Sequence, residues 1–115
     1  MGKRSQKQFI EDIRDSIEAI LSYTSGMSFE EFSADRKTID AVLRNLEVIG
    51  EAAKNISPEL KAKYSSIDWR GMTGMRDKLI YGYFGINFTI VWKTIVDVLP
   101  VLLKEIEKIK SSDTL

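Results

Sequence analysis

The chain of 115 residues contains no cysteine and no histidine. The first absence excludes disulfides, thiolate zinc sites and iron–sulfur clusters. The second removes the commonest metal ligand and the one side chain that ordinarily titrates near neutral pH. Any catalysis must therefore run on arginine, lysine, tyrosine, hydroxyl or carboxylate groups. Net charge is lacking too: 17 lysines and arginines balance 17 aspartates and glutamates. A uniformly basic nucleic-acid coat is excluded, while a local basic patch is not. Long apolar runs are also missing. The longest, Val98 to Leu103, includes Pro100 and falls far short of a membrane span. The polar start Met1-Gly2-Lys3-Arg4-Ser5-Gln6 has neither the apolar stretch of a signal peptide nor a serine or threonine at position 6 for myristoylation. These features predict a cytoplasmic protein with no membrane partner.

What is present has a helical period. Phe9, Ile10, Ile13, Ile17, Ile20 and Leu21 recur at three/four spacing, and Gly26 is a natural stop. Ser28-Phe29-Glu30-Glu31 has the spacing of a capping box. Asp35 can cap a second long helix with the stripe Ile39, Val42, Leu43, Leu46, Ile49 and Ala53. Ser57-Pro58-Glu59 and Asp68-Trp69-Arg70 read as further starts, and Asn87 as the cap of a last helix. Pro100 falls inside that helix and predicts a kink. The polar tail 111–115 is expected to fray. No alternating strand pattern competes. The expectation is one all-α domain over residues 1–115, an up-and-down bundle of about four main helices.

The stretch Gly74-Met75-Arg76-Asp77-Lys78-Leu79-Ile80-Tyr81-Gly82-Tyr83-Phe84-Gly85 concentrates charge, aromatic rings and glycine. Four of the seven glycines (Gly71, Gly74, Gly82, Gly85) fall in this region. Each costs about 1 kcal/mol against alanine inside a helix, so close backbone approach to a helix or ligand is expected. At 100° per residue, Arg76 and Tyr83 share a face, whereas Arg76 and Tyr81 stand about 140° apart. Packing at a helix end and a functional cluster are both open readings of such a stretch. Lys61, Lys63, Arg70, Arg76 and Lys78 outnumber Asp68 and Asp77 locally, a patch able to attract a polyanion. On the second helix, Arg44, Glu47 and Glu51 form either a polar wall beside this stretch or a solvated face.

The residues resemble the HepT-like toxins of the HEPN superfamily. The similarity runs from about Phe9 to Ile106 and includes Gly26-Met27-Ser28-Phe29-Glu30-Glu31-Phe32 and Ala41 to Ala53. It continues through Trp69-Arg70, Gly74-Met75-Arg76, Gly82-Tyr83-Phe84-Gly85 and Ile90-Val91-Trp92. The resemblance implies a dimeric helical bundle, the toxin of a toxin–antitoxin pair, that cleaves RNA without a metal or cofactor. It also implies a cognate nucleotidyltransferase antitoxin that spends ATP to attach AMP to a tyrosine.

The family signature is arginine, four residues, histidine, one residue, tyrosine. Arg76 and Tyr83 match its ends, and Tyr81 stands at the histidine. The resemblance thus makes Arg76 and Tyr81 catalytic positions and Tyr83 the AMP acceptor, with Asp77, Arg44 and Glu47 in support. Asp77 replaces an asparagine frequent in the family, and Asn87 an aspartate. Tyrosine titrates near 10, which makes it a poor base at neutral pH. An attenuated ribonuclease is expected. The alternatives are a non-catalytic partner or substrate of a nucleotidyltransferase, or a plain helical dimer.

Overall fold

A computed structural model describes the backbone of residues 4–81 and 87–114 and the side chains of residues 4–75 and 87–114. Among these residues the secondary structure is entirely helical: α1 (Gln6–Thr24), α2 (Phe29–Ala34), α3 (Arg36–Lys54), α4 (Pro58–Lys63), α5 (Trp69–Tyr81), α6 (Phe88–Lys93) and α7 (Leu99–Glu107). A π-helical turn, Thr94–Val98, joins α6 to α7, and a 3-10 turn, Ser111–Thr114, follows. The four long rods are α1, α3, α5 and the continuous α6–α7 segment.

Local chemistry sets the helix starts. Ser28 accepts from the Glu31 amide while Glu31 accepts from the Ser28 amide, so two otherwise orphaned donors are satisfied. Asp35 accepts from both the amide and the hydroxyl of Thr38, at 3.1 and 2.9 Å. Those bonds, the amide first, hold its carboxyl below the usual carboxylate range. Ser57 accepts from the Leu60 amide, with Pro58 in the first turn. Asn87 accepts from the amides of Thr89 and Ile90. A further capping box, Ser5 with Gln8, starts α1; its Ser-x-x-Gln spacing was available in the sequence. Gly26 takes φ +77°, the left-handed conformation that ends α1.

The core is one aliphatic cluster. Ile13, Ile17 and Ile20 of α1 and Val42, Leu46 and Ile49 of α3 are buried with Met72 of α5 and Leu99, Leu102 and Ile106 of α7. α3 is the central rod and packs on both α1 and α5. Gln6 fixes the α1–α3 pairing as antiparallel: its amide nitrogen donates to the Asn55 carbonyl and its oxygen accepts from the Ser57 amide. Phe32, fully buried, stacks at 5.2 Å on Trp92 and pins α2 to α6.

One expectation is corrected: the tail does not fray through residue 114. Asp113 accepts from Lys63 at 2.5 Å and from the Tyr64 hydroxyl, whose oxygen in turn accepts from the Lys110 amide. Thr114 is buried. Before Pro100, where the sequence predicts a kink, the turn widens into the π turn. The Leu99 amide reaches back five residues to the Thr94 carbonyl, an arrangement that absorbs the missing amide and the ring's demand for space. Pro100 then occupies the first turn of α7.

Candidate functional site

The helix that carries the motif starts from a tightly built corner. Trp69 is buried and donates from its indole nitrogen to the Tyr64 carbonyl at 3.1 Å. Asp68 folds over the first turn and accepts from the Gly71 amide at 2.9 Å. A Cβ at residue 71 would stand only 2.2 Å from that carboxylate, so glycine there is a matter of space. Gly74 is different: among the described residues nothing lies within 4 Å of where its Cβ would be. No described helix makes the expected close approach at that position.

From this corner α5 runs without interruption to Tyr81. Arg76, Asp77 and Tyr81 thus lie on a helical backbone packed against α3. Because the helix is unbroken between them, the register keeps Arg76 and Tyr81 about 140° apart around its axis. Their side chains lie outside the described residues, as do those of Lys78 and the whole of Tyr83, Phe84, Gly82 and Gly85.

Arg44 and Glu47 do meet, at 3.4 Å across one turn of α3. They face a groove of about 390 Å³ between α1 and α3, together with Arg4, Phe9, Asp12, Val48, Glu51 and Ala52. Arg4 sits on both oxygens of Asp12, at 2.7 and 2.6 Å. Sequence reasoning missed Arg4 and Asp12. They are eight apart, and Arg4 precedes the helix, so no helical spacing relates them. The groove therefore has an apolar floor and a rim on which each arginine is paired with a carboxylate.

The local excess of basic charge is smaller than composition suggests. Lys63 is engaged by Asp113, whose hydrogen bond holds the ammonium's pKa above the usual lysine range. Lys61 and Arg70 form no ion pair among the described residues. The same residues contain no group of three potential metal-ligating side chains and no helix long and apolar enough to cross a membrane.

Comparison with known proteins places these elements in context. A family model described as ribonuclease HepT-like matches residues 13–109. A Methanocaldococcus jannaschii protein whose name describes it as an RNase is 45% identical over 109 residues, covering 95% of this chain and 90% of that one. A Thermococcus cleftensis protein bearing the name Probable ribonuclease HepT is 46% identical over 108 residues, covering 94% and 98%. A Caldanaerobacter subterraneus protein, also described by its name as an RNase, is 40% identical over 106 residues, covering 92% and 95%. No solved structure matches the chain.

Proposed function

The chain belongs to the HepT-like ribonuclease family, and from that premise we propose that it is the toxin of a toxin–antitoxin pair, a cytoplasmic endoribonuclease that needs no metal. The observation that carries the reading is the family match itself, which spans Arg76, Tyr81 and Tyr83 in one unbroken interval. Cleavage at a ribose 2′-hydroxyl requires three things: a cation for the phosphate, a group to take the hydroxyl proton, and a donor for the departing 5′ oxygen. Arg76 meets the first, since a guanidinium is always charged and its planar fork fits phosphate oxygens. Tyr81 meets the third as a hydrogen-bond donor, but a phenol titrating near 10 is a weak base at pH 7. Asp77 adds a neighbouring negative charge that weakens phosphate attraction. Attenuated chemistry follows.

The protein acts as a homodimer. A helix that holds Arg76 and Tyr81 about 140° apart does not turn both toward one phosphate, whereas a two-fold axis brings one from each copy together. Tyr83 is the acceptor for AMP from a cognate nucleotidyltransferase antitoxin. The tyrosine oxygen attacks the α-phosphorus of ATP and pyrophosphate leaves. The attached phosphate then competes with RNA for Arg76. ATP is the partner's substrate, and this chain needs no cofactor of its own.

Tyr81 at the histidine position favours a second reading, a non-catalytic partner or substrate of that nucleotidyltransferase. The two separate in one comparison of RNA cleavage by the natural protein and by Tyr81→His. Slow cleavage that rises at least tenfold in the variant supports the attenuated enzyme. Equal rates contradict this account of position 81, and no cleavage by either supports the partner reading. Mass spectrometry after co-expression with the nucleotidyltransferase checks Tyr83: an increment of one AMP is expected there.

A further inference from the structure

A chain of hydrogen bonds links the C-terminal turn to the helix that carries the motif. The Tyr64 hydroxyl donates to Asp113 and accepts from the Lys110 amide at 3.1 Å. Lys63, its neighbour, donates to the other oxygen of Asp113. The Tyr64 carbonyl accepts from the Trp69 indole and from the Ile67 amide, each at 3.1 Å. Trp69 is buried and is the first residue of α5, and its own carbonyl accepts from the Thr73 hydroxyl. One residue thus grips the tail with its side chain and the start of α5 with its backbone. Among the described residues α5 packs on α3, while toward α7 it opens onto a groove of about 290 Å³ lined by Met72, Met75 and the exposed Val98 and Val101.

Arg76 lies seven residues beyond Trp69 on the same unbroken helix, about 10 Å along the axis and within about 20° around it. A rotation of α5 that moves one position moves the other. Turning the helix by about 10° displaces an atom about 6 Å from its axis by about 1 Å, enough to cost about a hundredfold in a reaction that depends on alignment. We propose that Tyr64 is a positioning residue: by tying the C-terminal turn to the Trp69 indole, it sets the rotation of α5 and so where Arg76 stands. The proposal rests on the ribonuclease reading above and deepens it. A phenylalanine would fill the same space as Tyr64; what the hydroxyl adds is the grip on the tail.

The presence of only two tryptophans gives a clean test, since each supplies one indole N–H signal in NMR and Trp92→Phe assigns them. In Tyr64→Phe and in Asp113→Ala, the Trp69 indole proton is expected to exchange with solvent at least tenfold faster than in the natural chain. The kcat for RNA cleavage should fall at least tenfold in both, with KM within twofold. Because both changes cut one link, the double variant should be no slower than the slower single variant. Ser28→Ala, a destabilising change outside the link, should leave kcat within twofold and speed the exchange less than Tyr64→Phe does. Unchanged indole exchange in Tyr64→Phe, unchanged kcat there, or an equal fall in kcat in Ser28→Ala overturns the proposal. Failure of the ribonuclease reading shows separately, as a natural chain that cleaves no RNA, and the indole exchange then still decides whether Tyr64 holds α5.

Discussion

On the proposed mechanism, position 81 decides how the chemistry runs. A phenol in place of an imidazole leaves the motif without a group that changes charge between pH 5 and 8. The natural protein's cleavage rate should therefore climb toward alkaline pH without an inflection near 6.5. Tyr81→His should introduce one, read from initial rates across pH 5–9. Asp113 is the other residue whose charge matters. The bond from Lys63, then that from Tyr64, holds its carboxyl below the usual range. The native state therefore prefers the ionised form, and the stabilisation is present above pH 4 and lost as acid protonates the carboxylate. Lys63 is shifted the other way by the same bond. Its contribution is present below the ordinary lysine value of about 10.5 and lost above it. Asp113→Asn should lower the melting temperature by a few degrees at pH 7. The gap to the natural protein should close below about pH 4, as thermal melts across pH will show.

At the scale of elements, the caps and one aromatic clamp hold the short helices. α2 has six residues, too few to persist without its capping box and its anchor. Ser28→Ala should cost about 1 kcal/mol in urea denaturation. Phe32→Ala, which empties a fully buried site beside Trp92, should cost about 3–5 kcal/mol. The starts at Ser28, Asp35, Ser57 and Asn87 were legible in sequence because a cap is settled within four residues. The π turn was not. Pro100 announces a disturbance, but whether the rod bends or widens depends on how Ile95 and Leu99 must reach the core. The anchoring of the tail was equally hidden, since Asp113 finds partners 49 and 50 residues away. Of the candidate site, Arg76, Tyr81 and Tyr83 are named by the resemblance to the HepT-like family, and their side chains lie outside the described residues. The Arg4–Asp12 pair facing Arg44 was not legible, because only the packing of α1 on α3 brings it there.

For the whole molecule, a neutral chain with helices on one aliphatic core has little long-range field with which to gather RNA. On the proposed mechanism, function rests on a small cationic spot on the α5 helix rather than on the field of the whole chain. The π turn, the exposed valines and the groove beside Met75 all lie along the side of the bundle where that helix runs. The account therefore depends on one cation of that helix. The most direct measurement is the initial rate of RNA cleavage, in the presence of a chelator, by the natural protein and by Arg76→Ala, with matched circular dichroism. Cleavage by the natural protein that persists in chelator and falls at least a hundredfold in the variant is the predicted result. Equal rates for the two proteins, or activity that vanishes with the chelator, would contradict it.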